Sequence, residues 1–435
     1  DKGRTIIAKV KPSLKERGNN GARRKEYFNL ETCHHDIYPD AAEFKVEEGK
    51  KIRTTDCIRY EFIPPRFIKH IYHQHYYACK GTVYAGSLPA VPLLNSNYDA
   101  SFIAGILQLR YIYSMPVERI IKLFAEHGFE MNKATAHGLI KKAAGLFDLV
   151  EDVLKETVLS DNYLSMDESY YTVLTSDTNN QSGKSTAKGY IWAALANHLK
   201  LVHFFYENGS RSRKVLTGYL REDYRGAIQS DGLGNYKIIE KEAYPDAIRL
   251  SCFQHCKRKF LNITGNKDAE KIVRIINRLY QNEHRIPPDW TACQILDYRN
   301  KYAPPILKEL KEELINIKNK KSTLPKSELS KAINYTLNEY DALCNYIRSA
   351  DYAPDNNAIE RLMRYISLSR RNSLFCGSHQ GAKRAALIYS LACSCRLNNI
   401  NSFEYFKDLL TKLIDINPNT DHETIRNLLP HKWQR

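Results

Sequence analysis

The middle of this chain of 435 residues holds three strand-like runs that follow one another through short turns. Residues 163–175, 189–196 and 201–206 are rich in β-branched and aromatic side chains, and their spacing predicts an antiparallel meander. After the meander, helical segments alternate with short apolar strands at residues 227–230 and 248–252. We therefore predict a mixed α+β fold, in which helices pack against one mixed sheet.

Three acidic residues mark separate elements of this region. Asp167 lies in Leu-Ser-Met-Asp-Glu-Ser, Asp231 in Ile-Gln-Ser-Asp-Gly-Leu, and Glu360 in Asp-Asn-Asn-Ala-Ile-Glu-Arg. The first two close strand-like runs, and the third lies on a helix after a long helical interval. A sheet that reunites these segments would bring three carboxylates together, and hard divalent cations prefer such oxygen ligands. The three acids are therefore the predicted catalytic and metal-binding residues for phosphodiester chemistry.

Two acidic neighbours compete for these places. Strand alternation is expected to send Glu168 to the face of the sheet opposite Asp167. Asp355 follows Pro354 and is expected to cap the helix that carries Glu360. A single acidic residue is usually a solvated surface group, so the prediction depends on the order of the three elements.

The charge of the chain favours a polyanionic partner. Lys and Arg number 65 against 49 acidic residues, which gives a net charge of +16, and the chain has 29 tyrosines. Each phosphate that a protein neutralises releases counterions, and tyrosine rings offer faces on which unpaired bases stack. A solvated basic surface with tyrosines in the core is the alternative. The sequence has no run of about 18 apolar residues, which argues against a membrane span.

Two predicted helices before the meander fit a helix-turn-helix DNA reader. Residues 117–127 are amphipathic, Gly128 breaks the helix, and Asn132 begins the next one. An ordinary helical hairpin is the alternative interpretation. The predicted DNA-binding residues of the second helix are Lys133, Thr135, Lys141 and Lys142.

Further basic residues lie near the second and third acids. In the segment Cys252-Phe-Gln-His-Cys-Lys-Arg-Lys-Phe we expect a buried strand end followed by a helix whose basic side chains contact phosphate. A zinc site from Cys252, His255 and Cys256 is disfavoured because the sequence offers no fourth ligand nearby. The remaining predicted DNA-binding residues are His255, Arg258, Lys259, Arg364, Arg370 and Arg371.

The ten cysteines indicate a reducing compartment, because they include no C-x-x-C pair. Cys33, Cys57 and Cys79 lie in a region of short predicted strands, where a β unit without metal is favoured over a zinc site. The histidine-rich residues 69–75 make a weak case for a zinc hydrolase. The chain begins at Asp1 rather than Met, so we expect a preceding segment.

Five motifs occur in order along the chain: Met-Asp167-Glu-Ser, Asp231-Gly-x-x-x-Tyr, Cys252-x-x-His-x-x-Arg-Lys-Phe, Asp-Asn-Asn-Ala-Ile-Glu360-Arg, and Arg-Arg-Asn-Ser-Leu-Phe-Cys-Gly-Ser at 370–378. From about residue 99 to residue 433 the chain resembles the insertion sequence 66 family of DDE transposases. The resemblance implies a ribonuclease-H-like core with Asp167, Asp231 and Glu360 as the DDE triad. It also implies dependence on Mg²⁺, with Mn²⁺ as a substitute, while zinc is not expected.

The resemblance further implies action on double-stranded DNA with terminal inverted repeats and on a target DNA. We expect a homodimer or higher oligomer on DNA, accessory proteins of the same element as further partners, no membrane association, and a cytoplasmic, nucleoid-associated location in bacteria. The alternatives are a domesticated sequence-specific DNA-binding protein and a ribonuclease-H-like nuclease that cuts without joining.

The predicted architecture is a catalytic domain interrupted by a helical insertion. Within the insertion, helix breaks are expected at Pro287-Pro288 and Pro304-Pro305. The predicted units are a basic arm at 1–25, a small β unit at 26–95, a helical helix-turn-helix region at 96–160, the first part of the core at 161–262, the insertion at 263–352, the core helix of the third acid at 353–375 and a C-terminal helical region at 376–435.

Overall fold

The computed structural model describes residues 65–79, 82–94, 96–174, 186–232, 234–237, 244–417 and 419–434. The chain divides into two units after Pro64, and every described residue belongs to the second unit. The predicted basic arm, Cys33 and Cys57 therefore lie outside the described residues. Within the described ranges the protein is a mixed α+β structure, as predicted.

A hairpin and three helices precede the main sheet. Strands β1 (Tyr76–Cys79) and β2 (Thr82–Ala85) pair antiparallel. They are followed by α1 (Ala100–Leu107), α2 (Val117–Glu126) and α3 (Lys133–Leu159). A short π-helical turn follows α1 directly.

The turn between α2 and α3 is determined by two residues. Gly128 has a φ of +81°, a backbone conformation that glycine adopts without strain. The Asn132 side chain accepts the backbone N–H of Thr135 at 2.7 Å and so caps α3. The predicted helix break and the predicted start of the second helix are both confirmed.

The main sheet has five strands in the order β5-β4-β3-β6-β7. Its first three strands form the predicted antiparallel meander, and the two short strands that follow extend it in parallel to β3. The sheet is therefore mixed. Its strands are β3 (Tyr163–Leu174), β4 (Thr186–Ala196), β5 (Leu201–Phe205), β6 (Ala227–Gln229) and β7 (Ile248–Leu250).

Helices cover the sheet and form the long interval between the second and third acids. The helix that carries Glu360 packs on β3 and buries an apolar stripe of Ile359, Leu362, Met363 and Ile366. The helices after α3 are α4 (Arg213–Tyr219), α5 (Phe253–Leu261), α6 (Lys267–His284), α7 (Ala292–Lys318), α8 (Glu328–Asn338), α9 (Tyr340–Cys344), α10 (Asn357–Ser373), α11 (His379–Leu397), α12 (Ser402–Lys412) and α13 (His422–Arg426).

The predicted break at Pro304-Pro305 is wrong, because α7 continues through both prolines. The two rings lie on the exposed side of the helix, while Ala303, Ile306 and Leu307 beside them are buried. A proline inside a helix costs about 3 kcal/mol. Burial of each large apolar side chain returns about 1.5–3 kcal/mol, so packing offsets the cost. The predicted break at Pro287-Pro288 is confirmed by the turn between α6 and α7.

The helical segment expected between the strands at residues 227–230 and 248–252 is only partly comparable with the structure. Residues Gly234–Lys237 form a 3₁₀ turn, and residues 233 and 238–243 lie outside the described ranges. In those ranges no helix has both the length and the apolar character needed to cross a membrane.

A buried ion pair fastens the helical interval to the sheet. Arg249 of β7 donates to the carboxylate of Glu339 at 2.5 Å, and both side chains are almost completely buried. The Lys237 ammonium, which follows the second acid in sequence, lies 3.0 Å from the same carboxylate. Glu339 therefore ties the end of α8 to two segments next to Asp231.

We predict that Glu339→Ala lowers the free energy of unfolding by about 3–5 kcal/mol, because the substitution leaves buried cationic charge without its carboxylate. Denaturant unfolding followed by circular dichroism measures the change. Glu309→Ala is the matched control, since Glu309 pairs with Arg278 at 2.8 Å on the exposed surface and should contribute about 0–1 kcal/mol. Equal losses in the two variants would contradict the assignment of a buried ion pair.

Candidate active site

The strand register brings Asp167 and Asp231 to the same level of the sheet. In the parallel pairing of β3 with β6, Ser165 lies opposite Gln229. Two residues further along the chain, Ser165 is followed by Asp167 and Gln229 by Asp231. Because side chains alternate between the faces of a sheet, Asp167 and Asp231 are expected on the same face as Ser165 and Gln229. The pairing of β6 with β7, in which Gln229 lies opposite Leu250, leads in the same way from Asp231 to Cys252. Asp231 and Cys252 therefore follow the ends of the two short strands on the side of the sheet toward which β3 runs to Asp167.

Asn356 positions the third acid against this edge. Its side-chain amide donates to the backbone carbonyl of Met166 at 2.9 Å, and its backbone N–H donates to Cys252 Sγ at 3.3 Å. The backbone N–H of Glu360 in turn donates to the Asn356 carbonyl at 3.2 Å, within the first turn of α10. Asn356 is 1% exposed, so these contacts fix the start of α10 next to the residue that precedes Asp167.

The predicted cap of α10 is wrong by one residue. Asn356, rather than Asp355, occupies the N-cap position, and its side chain is engaged with Met166 instead of the helix. Asp355 Oδ1 nevertheless accepts the backbone N–H of Asn357 at 3.0 Å. The first turn of α10 is therefore bound by the Asp355 side chain, while the side chain of the N-cap residue itself binds a distant strand.

Several acidic groups influence Asp167. The pKa of Asp167 is raised well above its ordinary value, first by desolvation and then by the negative charges of Glu168 and Asp231, with Glu360 adding to the effect. The backbone N–H of Glu168 donates to Asp167 Oδ1 at 2.9 Å and opposes the rise. Negative charge is thus concentrated around Asp167, while metal binding by the three acids stays a prediction.

Both carboxylate oxygens of Glu168 accept hydrogen bonds from other side chains. Its side chain is 2% exposed and accepts hydrogen bonds from Arg211 at 2.7 and 3.1 Å. The buried Tyr236 hydroxyl donates to the other carboxylate oxygen at 2.9 Å. Sequence reasoning did not identify Arg211 or Tyr236 as part of the site. The spacing of the motif Asp231-Gly-x-x-x-Tyr was the available signal for Tyr236.

The glycine after Asp231 has a steric role. The Gly232 N–H donates to the Tyr335 hydroxyl at 3.1 Å, and a Cβ on Gly232 would lie 2.5 Å from that oxygen. Tyr335 belongs to α8, and its ring also lies 4.3 Å from the Lys259 ammonium. The helical interval therefore forms one wall beside Asp231, and no pattern in the sequence identified Tyr335.

Two of the predicted phosphate-binding residues face the third acid. His255 Nδ1 lies 3.6 Å from Glu360 Oε1, and Arg258 Nη2 lies 3.6 Å from Glu360 Oε2. The His255 and Glu360 side chains are about one quarter exposed, and that of Arg258 is more than half exposed. The start of α5 therefore brings basic groups to the carboxylate edge of the sheet.

Arg370 holds the far part of β3. Its guanidinium donates to Ser169 Oγ at 2.6 Å and to the Tyr170 carbonyl at 2.8 Å, and it lies 3.7 Å from the centre of the Tyr170 ring. Further along, Cys376 forms a parallel bridge with Val173. Arg364 and Arg371 are exposed on α10. Their contact with DNA, like that of Arg370, stays a prediction.

The predicted DNA-binding residues of α3 lie near its exposed beginning. Lys133 forms an ion pair with Glu118 of α2, and the Thr135 N–H binds the Asn132 cap. Lys141 and Lys142 are exposed. One face of α3 is buried along its length, from Ala136 onward, so a partner would contact the exposed face on which Lys141 and Lys142 lie.

Comparison with known proteins places this site within a matched region. Residues 95–384 match the family model described as "Transposase IS66 family". The uncharacterized protein y4jD of Sinorhizobium fredii is 26% identical over 371 residues, which are 82% of this chain and 70% of y4jD. The uncharacterized protein y4hP of the same organism is 24% identical over 365 residues, 77% of this chain and 62% of y4hP. A third, y4qI, is 24% identical over 384 residues, 84% of this chain and 69% of y4qI.

We predict that Asp167→Asn stabilises the protein at neutral pH. A carboxyl whose pKa is raised on folding destabilises the folded state once the pH exceeds the ordinary value of 3.8. The stability difference between variant and wild type should therefore be small below that value and grow with pH, by up to about 1.4 kcal/mol per pH unit, until the raised pKa is passed. Urea unfolding across pH measures the difference.

Asp415→Asn provides the control, because Asp415 is exposed and lies apart from the three acids in sequence. Its effect on stability should be small at every pH. A difference between Asp167→Asn and wild type that stays constant with pH would show that repulsion at Asp167 is not its cause.

Proposed function

Because the chain belongs to the IS66 family of transposases, we propose that it cleaves and joins DNA at the inverted-repeat ends of an insertion sequence. The family membership supports the transposase role and implies DNA binding. The proposal of strand cleavage and joining depends on one observation: the charges of Asp231 and Glu360 both act on the buried Asp167, although 64 residues separate Asp167 from Asp231 and a further 129 separate Asp231 from Glu360. We propose a ribonuclease-H-like core for the same reason, since a meander followed by parallel strands unites the three acids.

The donor set fits a hard divalent cation. All three residues offer carboxylate oxygen, and the pKa of Asp167 is raised by desolvation first and then by neighbouring carboxylates that include Asp231 and Glu360, so a cation at this point would relieve an existing penalty. Asp167, Asp231 and Glu360 would hold Mg²⁺, with Mn²⁺ as a substitute. When bound, such cations supply charge neutralisation for the phosphodiester and activation of the attacking oxygen.

The residues around the triad have supporting roles in this proposal. His255 and Arg258 face Glu360 from α5 and would orient phosphate oxygens by charge-assisted hydrogen bonds. Asn356 keeps Glu360 in place through Met166. Arg211 and Tyr236 hold Glu168, which leaves Asp167 as the acid of β3 that serves the metal.

DNA binding is assigned to two surfaces. The first half of α3, with Lys133, Thr135, Lys141 and Lys142, would contact DNA as the second helix of a helix-turn-helix. The basic residues of α5 and α10, namely His255, Arg258, Lys259, Arg364, Arg370 and Arg371, would contact DNA near the triad. We propose that the protein acts as a homodimer or higher oligomer on the two ends of the element.

Asp231→Asn and Glu360→Gln should each reduce the rate of DNA cleavage by about a thousandfold or more, because several kcal/mol of transition-state stabilisation are removed. The assay incubates purified protein and Mg²⁺ with labelled element ends and resolves cleaved and joined products. Joined products distinguish a transposase from a nuclease that only cuts.

Asp355→Asn is the matched control for Glu360→Gln. Asn retains an oxygen that accepts the Asn357 N–H, so this contact at the start of α10 remains and activity should stay close to wild type. Undiminished cleavage by Asp231→Asn would refute the proposed triad. If Asp355→Asn lost as much activity as Glu360→Gln, the assignment of Glu360 as the third ligand would be wrong.

The double substitution Lys141→Ala and Lys142→Ala should weaken binding to element ends and make it less dependent on salt. The slope of log K against log salt should become shallower by about 0.9 for each phosphate that the protein no longer neutralises. Fluorescence anisotropy at several salt concentrations measures both quantities. Lys308→Ala is the control, since Lys308 is 78% exposed on α7; an equal change of slope would show that the effect is one of net charge alone.

A further inference from the structure

Glu360, the third of the acids, also belongs to a second cluster of possible metal ligands, together with Cys252 and His255. Each offers one ligand atom, and these three atoms lie within 4.8 Å of one another. The cluster unites sulfur, nitrogen and oxygen donors. Zinc and similar borderline-soft cations accept this combination, whereas Mg²⁺ takes oxygen ligands. The sequence alone disfavoured zinc here, because Glu360 is 105 residues away from His255.

Two polar atoms of the cluster have no hydrogen-bond partner in the described part of the chain. His255 Nδ1 and Glu360 Oε1 are both shielded from solvent, and no hydrogen-bond partner for either is present among the described residues. They lie 3.6 Å apart, which is too long for a hydrogen bond. Unsatisfied buried polar atoms cost free energy, and a cation shared by the two would remove that cost.

The fold holds the three ligands from independent directions. Cys252 follows β7 and is the N-cap residue of α5, and His255 lies in the first turn of that helix. The Asn356 N–H binds Cys252 Sγ at 3.3 Å and thereby links α5 to the start of α10, one turn before Glu360. In a tetrahedral site with bonds of about 2.0–2.3 Å, ligand atoms lie roughly 3.3–3.8 Å apart, so the cluster needs to contract by only about 1 Å.

We propose that Cys252, His255 and Glu360 bind one Zn²⁺ ion, with water as the fourth ligand, and that this ion inhibits the enzyme. Binding converts the Cys252 thiol to a thiolate and releases its proton to solvent. Glu360 then serves the zinc ion and is withdrawn from Asp167 and Asp231. The inhibition rests on the proposed function, but zinc binding itself does not.

Zinc binding is tested with the full chain and Zn²⁺ in competition with a chelating dye, without DNA. Cys252→Ser and His255→Ala should each lose one equivalent of bound zinc or weaken its affinity by at least about tenfold. Replacement of zinc by Co²⁺ should give a thiolate-to-cobalt absorption band that Cys252→Ser abolishes. Unchanged stoichiometry and affinity in both variants would overturn the proposal.

Two control variants separate this cluster from its surroundings. Cys256→Ser should keep the bound zinc, because Cys256 is as deeply buried as Cys252 on the same helix but lies outside the cluster. Asp231→Asn should also keep it, which distinguishes the cluster from the triad of acids; loss of zinc in Asp231→Asn would assign the ion to the triad instead. Any zinc that binds to residues outside the described ranges should bind equally to all variants, so it does not affect the comparison between them. Thermal unfolding shows whether Cys252→Ser is folded. If it is not, His255→Ala alone tests whether the cluster binds zinc.

The inhibitory consequence is tested by cleavage of labelled element ends in constant Mg²⁺ with increasing Zn²⁺. His255→Ala should require at least about tenfold more zinc for half-inhibition than Cys256→Ser, each measured relative to its own zinc-free rate. Equal sensitivity of the two variants would overturn the inhibitory role. If the wild-type protein cleaves no DNA, the proposed function fails, while the dye and cobalt measurements still decide whether the zinc site exists.

Discussion

The hydrogen bond from the Asn356 side chain to the Met166 carbonyl is the contact on which the candidate site depends. It joins the start of α10 to the central strand one residue before Asp167, across 190 positions of sequence. Because Asn356 is buried, loss of the bond would leave polar groups unsatisfied in the core. The Asn356 N–H also binds Cys252, so one residue aligns the strand of Asp167, the end of β7 and the helix of Glu360.

The same site leaves the buried carboxyl group of Asp167 close to other negatively charged carboxylates. The pKa values of both Asp167 and Glu168 are raised, in each case first by desolvation. Arg211 and Tyr236 bind the Glu168 carboxylate and oppose its shift, whereas the opposing contact of Asp167 is the backbone N–H of Glu168. A protein selected only for stability would pair or replace such an acid. Strongly perturbed acids are typical of functional sites, and the difference between these two adjacent residues favours a role for Asp167 in binding a cation.

The sequence predicted those features whose signals are local. The meander, the Gly128 break and the Asn132 cap follow from residue spacing and turn chemistry, and the structure confirms them. Features decided by distant contacts were not accessible. The contact between the Asn356 side chain and the Met166 carbonyl has no signal in the local sequence around either residue. Likewise, the burial that carries α7 through its prolines, and the approach of Tyr335 to Gly232, come from packing between segments far apart in sequence.

The helical interval between the second and third acids is part of the site rather than an appendage. Tyr335 packs against Gly232, and Glu339 binds both Arg249 of β7 and Lys237 in the segment after Asp231. The helical interval therefore contacts the chain directly after Asp231, while Asn356 fixes the start of the helix that carries Glu360. Because a buried hydrogen bond or ion pair is costly to break, these two sets of contacts hold the segments of the second and third acids in fixed positions.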